Sequence, residues 1–346
     1  MVKVFWNTQQ ARLRTFWRLL IQSILGIVGI FVVAVIGGSF YFIVMIIAKG
    51  VSGAANILDV SFEELAQSPG LNALAGVASL LATLLSVSLV GYFLDRRRFR
   101  DFGFHLNWRW GLDLGFGLFL GAILMAGIFA VEWWAGWIEP VIAFNTQPDY
   151  LLQLGAQLIL YLCVGIYEEL SSRGYQLRNL AEGLKIPAGS KRGGVIAAWI
   201  MTSVWFGILH AGNENTTVAS TLNLVVAGVF LGLGYVLTGE LAISIGLHIT
   251  WNLFQGTVFG FPVSGGTFGN PLITLQQGGP TAWTGGAFGP EAGLIGILAM
   301  IAGSILMLAW VFVSRRKLAL QTSLAEYVPR NAAKEPSQPI PEVSEV

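Results

Sequence analysis

At 346 residues, 54% of them hydrophobic and only 11% charged, the chain is too apolar for a soluble globular protein of its length. Several apolar windows exceed the ~18–20 residues that cross a bilayer, so the fold class read from composition is an all-α polytopic membrane protein of about eight transmembrane helices. The single cysteine, Cys163, excludes an intramolecular disulfide framework; the formal net charge of +1 says nothing about nucleic acid, and no nucleic-acid partner is expected of such a membrane protein.

The N-terminus carries Lys3, Arg12, Arg14 and Arg18, then runs apolar from Leu19 to Ala48. That run is far longer than the ~7–15-residue core of a signal peptide, so it reads as an uncleaved first span. A loop over 49–71 with Asp59, Glu63 and Glu64 leads to a second span, about 72–94, which stops at the basic cluster Asp95–Arg100. The third span, about 111–137, has Asp113 near one end and Glu132 beside Trp133, Trp134 and Trp137 at the other. The fourth, about 149–169, is expected to continue as a charged amphipathic extension to Leu184, and the run Pro187–Gly194 is a breaker.

Spans five (about 195–211), six (217–237) and seven (241–259) follow with short connections. Residues 260–291 are rich in Gly, Pro and Thr and too irregular to cross lipid unprotected. An eighth span, about 292–313, ends at Arg315-Arg316-Lys317, and the tail from Leu318 reads as disordered. The organisation is therefore a three-span N-terminal region (1–148), a core (149–262), an outer loop with the last span (263–317) and a tail (318–346). With eight crossings both termini share a side. Placing them in the cytoplasm of a bacterial plasma membrane puts every Lys and Arg except Lys49 on the cytoplasmic side.

Chemistry concentrates in Tyr167-Glu168-Glu169-Leu170-Ser171-Ser172-Arg173-Gly174. Charged residues within a span cost about 2.5–3.5 kcal/mol each on insertion scales, so the stretch points to partners or to chemistry. Glu169 and Arg173 have the favourable i,i+4 ion-pairing order, which leaves Glu168 as the working carboxylate. Only three histidines exist. His210 closes span five after Phe206. His248 lies in span seven on one face with Ser244, Asn252 and Gln255, a stripe that must face the bundle interior. His105 reads as an ordinary interfacial histidine, and Ser244 and Gln255 as interhelical hydrogen-bonding groups. Residues 168 and 210 are equidistant from Gly189 in the breaker, so a hairpin turning there would bring them to one depth, in a cavity facing the basic side.

Glu168-Glu169-x-x-x-Arg173 with Gly174, Phe206-x-x-x-His210 and His248-x-x-x-Asn252 resemble, in order, the motifs of the CPBP intramembrane proteases. That family includes type II CAAX prenyl endopeptidases and bacterial relatives linked to bacteriocin processing or self-immunity. The resemblance covers about 150–262 and implies a membrane-associated protein or peptide substrate, with Glu168 and His210 activating water and His248 and Asn252 stabilising the oxyanion. Glu169, Arg173 and Phe206 take supporting roles. Elementary chemistry reaches a similar place: a carboxylate in a poorly hydrated cavity can act as a base near neutral pH, and imidazole and carboxamide N–H groups can donate to an oxyanion. The rival is a zinc centre on Glu168, His210 and His248, which are the right ligand types, although no His-Glu-x-x-His accompanies them. Two other readings compete: a non-enzymatic membrane immunity or partner protein, and a haem or ion-conducting protein built on His210 and His248.

Overall fold

The computed structural model describes residues 2–58, 68–143, 149–184 and 190–331. The chain is an all-α polytopic membrane protein. Its long helices are α1 (Thr15–Leu58), α2 (Pro69–Phe93), α3 (Trp108–Trp134) and α4 (Tyr150–Glu169), followed by the short α5 (Arg178–Gly183). After these come α6 (Lys191–Leu209), α7 (Val218–Thr238), α8 (Ala242–Asn252) and α9 (Leu294–Arg315). Local chemistry sets the ends. Asn107 caps α3 by accepting from Trp110 N at 3.0 Å, and Ser190 caps α6 by accepting from Gly193 N at 3.1 Å. Thr217 and Ser220 form a reciprocal cap at the start of α7. Gly239, at φ 74°, ends α7 in the left-handed conformation that glycine adopts without steric cost, and this turns the chain into α8.

Seven helices among the described residues are long and apolar enough to cross a membrane, against the eight expected. The difference is span seven. It exists as α8 continued by a π-helical segment, Leu253–Val258, but is shorter than a span and buried along its whole first part. Hydropathy cannot distinguish a lipid-facing helix from one shielded by its neighbours, and α8 is the central post of the bundle. It packs along α3 through small residues. A Cβ on Gly117 would lie 2.4 Å from Ile243 O, and one on Gly121 would lie 2.4 Å from Thr250 Oγ1 and 2.5 Å from Leu247 O. Where lipid tails are as apolar as the side chains, such close backbone approach supplies the packing that holds helices together. α3 thus belongs structurally with the core helices.

The ends of the helices sort by charge. Arg12, Arg97 and Glu182 meet at one end, with Arg12 and Glu182 2.5 Å apart, and Arg18 pairs with Asp95 beside them. Burial pushes the Arg12 and Arg97 guanidinium values down while Glu182 pulls them back up; burial pushes Asp95 up against the pull of Arg18. Breaking one such buried pair costs about 3–5 kcal/mol. Lys191, Arg192 and Arg315 lie at this same basic end.

The tail differs from expectation. Residues 318–331 are packed, not loose: Gln321 N donates to Val236 O at 2.8 Å, Leu324 is buried, and the Tyr327 ring covers Arg12 at 3.5 Å. Lys191 also pairs with Glu326 at 2.6 Å. Residues 332–346 lie outside the described residues, as do the acidic loop residues 59–67 and the breaker residues 185–189. The first helix runs on through Leu58, ten residues past the expected Ala48 (58 − 48 = 10).

At the opposite end, β1 (Ile138–Ala143) pairs antiparallel with β2 (Ile273–Gln277), with an irregularity between Pro140 and Ile142. This small sheet anchors the irregular 260–291 stretch at the rim of the bundle, in keeping with its unsuitability for lipid.

The α3–α8 contact is testable. Gly121→Leu is expected to lower the melting temperature and the yield of monodisperse protein in detergent, since overpacking of this kind costs about 1–3 kcal/mol or more. Gly127→Leu on the same helix, where a Cβ meets nothing within 4 Å, is expected to leave both unchanged.

Candidate active site

Glu168, Phe206, His210, His248 and Asn252 line one cavity of about 510 Å³, bounded by α2, α4, α6, α7 and α8 with Met300 of α9. The three separate sequence motifs therefore meet. Two of them lie at a change of helix type, with Arg173 and Gly174 of the first inside the changed segment. α4 passes into a π-helical segment, Leu170–Leu177, immediately after Glu169, and α8 passes into its own immediately after Asn252. π segments inside α-helices recur at functional sites, because the extra residue per turn re-aims neighbouring side chains.

Glu169 is wholly buried behind the cavity. Its Oε1 accepts from Arg173 Nη1 at 2.9 Å and from His248 Nδ1 at 2.9 Å. Arg173 is fixed further by donating to Gly228 O at 3.0 Å and by lying 4.7 Å over the Phe206 ring. The expected Glu169–Arg173 pair is present. Its second function, holding an imidazole, is not visible from spacing because His248 lies 79 residues away. The carboxylate accepts a hydrogen bond from Nδ1–H, so Nε2 of His248 is the nitrogen turned to the cavity, 4.0 Å from Glu168 Oε2.

His210 is fixed in the same sense. Its Nδ1 lies 2.8 Å from Phe206 O, and since a carbonyl only accepts, Nδ1 carries the proton and a neutral ring presents a bare Nε2. Phe206 packs against both imidazoles, with ring centroids 4.6 Å from His210 and 6.2 Å from His248. Tyr167 donates to Glu168 Oε1 at 3.3 Å, a neighbour that the motif reading passed over.

The remaining expectations sort as follows. Ser244 bonds Leu231 O at 2.7 Å and Gln255 bonds Pro262 O at 2.5 Å, both interhelical or helix-to-loop contacts. His105 is exposed and paired with Glu240 at 2.8 Å. Asp113, at the far side of the bundle, pairs with Arg315 at 2.5 Å.

The cavity does not face the basic end. Its outer part is lined by Asn213 and Glu214, by Ser264 and Thr267, and by Glu291, all from loops at the opposite end. The hairpin arithmetic placed both residues by distance from Gly189. But α6 starts at the basic end with Lys191 and spends all 19 of its residues, roughly 28 Å, before reaching His210. Glu291 was also unforeseen. Its Oε1 accepts from Ser264 N at 2.6 Å and its Oε2 from Gln255, and burial pushes its carboxyl up to about 7. The only signal for it in the sequence is a lone carboxylate in an otherwise almost uncharged stretch.

Among the described residues, no three His, Cys, Asp or Glu side chains are grouped to hold a metal ion. His210 and His248 each commit Nδ1 to an oxygen, the bond that orients a metal-ligating imidazole and leaves Nε2 for the metal, but Glu168 Oε2 stands 4.0 Å from Nε2 of His248, so a zinc on Glu168, His210 and His248 would need Glu168 to close on the imidazoles.

Residues 150–254 match the family model described as type II CAAX prenyl endopeptidase Rce1-like. This segment is similar to that family. The match agrees with the resemblance carried by the three motifs. The match spans under a third of the chain but contains every motif residue from Glu168 to Asn252. No curated protein and no solved structure matches the chain. The matched segment contains Asn213 and Glu214 but stops short of Ser264, Thr267 and Glu291, so part of the cavity's outer wall lies beyond it.

The Glu169 arrangement makes a stability prediction. Arg173→Ala is expected to cut folded yield sharply, because stranding one member of a buried ion pair costs about 3–5 kcal/mol. Glu169→Gln combined with Arg173→Gln is expected to recover much of it, measured as monodisperse protein per cell mass. A double variant no better than the single would mean that the two groups do not stabilise each other.

Proposed function

We propose that the chain is an intramembrane endopeptidase that hydrolyses peptide bonds of a membrane-associated protein or peptide. The observation that carries this reading is the convergence of one carboxylate, two imidazoles and one carboxamide on a single cavity within an Rce1-like segment. Glu168, with the bare Nε2 of His210 beside it, removes a proton from water, and the hydroxide adds to the scissile carbonyl carbon. The oxyanion accepts from Asn252 and from Nε2 of His248. Donation from that nitrogen requires the ring to carry both protons, and Glu169 at Nδ1 is the counter-charge for that state. Return of the water-derived proton to the leaving amine completes the cleavage. Much of the cavity wall is apolar, from Leu160 through Leu231 and Leu247 to Met300, which suits a substrate drawn from the bilayer. By the excess of Lys and Arg at one end, both termini are cytoplasmic and the outer loops face the other side.

Glu168→Gln keeps shape and loses basicity, so it is expected to abolish cleavage with folding intact. Asn252→Ala, which removes one oxyanion donor, is expected to retain activity lowered by about 10²–10³. Comparative proteomics of membranes from cells carrying native or Glu168→Gln protein provides the readout: cut products should be present only with the native chain. Identical peptide patterns would count against proteolysis and for a non-enzymatic partner. Activity retained after chelation, with metal content measured in the same sample, is expected. Loss on chelation with recovery on zinc addition would contradict this metal-free mechanism.

A further inference from the structure

Beside the last turns of α2 lies a second cavity, of about 310 Å³, whose walls include Leu89, Tyr92, Phe93, Arg98, Phe99 and Phe102. Leu89, Tyr92 and Phe93 are exposed on the outside of a helix that crosses the membrane, so this wall faces lipid. The chain then leaves α2 through Arg96, held at φ 55°, which splits the basic run in two. Arg97 turns inward to Glu182 and is buried. Arg96, Arg98 and Arg100 stay outside. The packed tail adds a further cation: the Arg330 guanidinium lies 3.7 Å over the Tyr92 ring and donates to Tyr92 O at 3.1 Å, while Arg98 donates to Arg330 O at 3.4 Å.

Among the described residues no carboxylate pairs with the side chains of Arg96, Arg98 or Arg330. The nearest acid, Asp101, accepts from Arg98 N at 3.0 Å and lies 4.0 Å from Arg100. The result is an apolar, lipid-facing groove ending in guanidinium groups that bond carbonyl oxygens and an aromatic face but no carboxylate, at the level where helix α2 stops. Guanidinium matches phosphate in charge and in its fork of donors, and aromatic and aliphatic walls match acyl chains.

We propose that this groove binds an anionic phospholipid, with its phosphate against Arg98 and Arg330 and an acyl chain along Leu89, Phe93 and Phe99. The inference does not depend on the peptidase reading, because the groove and the catalytic cavity share no residue. Two features favour lipid over the acidic end of the chain, residues 332–346 with Glu335, Glu342 and Glu345. The groove is mainly apolar, and it opens on the outer face of a spanning helix.

The test uses the full chain in phosphatidylcholine vesicles, doped with phosphatidylglycerol or phosphatidylcholine carrying a photoactivatable acyl chain, with crosslinked peptides mapped by mass spectrometry. The phosphatidylglycerol probe is expected to label residues 88–102 about tenfold more than the phosphatidylcholine probe, the scale set by one or two arginines near a membrane surface. Arg98→Gln with Arg330→Gln should bring the two probes level, whereas Arg98→Lys with Arg330→Lys should keep most of the preference. Equal labelling by both probes in the native protein, or a preference untouched by the Gln pair, would overturn the proposal. Loss of labelling on adding inorganic phosphate alone would assign the groove to a free anion and overturn it as well. So would a preference that emerges only after residues 332–346 are removed, since the tail would then be the occupant.

Discussion

The cavity that gathers the motif residues depends on one buried carboxylate. Glu169 has no water to stabilise its charge, and it is held by Arg173 on one side and His248 on the other, each at 2.9 Å. A charge in such a place is tolerated only when it is paired and hydrogen-bonded. That requirement ties α4 to α8 through His248 and, through Arg173 and Gly228, to α7. The ion pair therefore positions the imidazole as well as stabilising the fold. Glu168, one residue earlier, is left with a cavity on its far side and only Tyr167 as a near partner.

Around this pair the helices can be read as a scaffold with two different solutions to the same solvent problem. The outer helices meet lipid with apolar side chains. The central α8 meets protein on all sides and brings its backbone against α3 at Gly117 and Gly121. Polar groups that would be costly in lipid are collected on α8 and its π-helical continuation: Ser244 bonds a carbonyl, His248 bonds Glu169 and Gln255 bonds the outer loop. The two π-helical segments fall directly after the motif residues of α4 and α8, which is where the chain must serve packing and site geometry together.

Much of this was legible in the residues. Apolar windows located the spans, helical spacing found Glu169 with Arg173, and the order of the motifs brought Glu168, His210, His248 and Asn252 into one reading. What escaped has physical causes. The burial of α8 depends on neighbours, which hydropathy does not see. The π segments arise from packing, so a reading by 3.6-residue periodicity misses them. The tail looked disordered from its Pro- and Glu-rich end, although Leu324 and Tyr327 anchor its first part. The bond from Glu169 to His248 and the seat of Glu291 under Ser264 join residues distant in sequence. The side to which the cavity turns was misjudged because depth was counted from a loop, when α6 spans the bundle before it reaches His210.

The central claim is that Glu169 fixes His248 through Nδ1 and so turns Nε2 to the cavity. With only three histidines in the chain, nitrogen NMR of protein labelled with ¹⁵N-histidine can resolve each ring, with single substitutions assigning the signals. The account predicts a protonated, hydrogen-bonded Nδ1 at His248 whose resonance moves in Glu169→Gln while His105 stays in place. An unprotonated Nδ1 at His248, indifferent to Glu169→Gln, would contradict it.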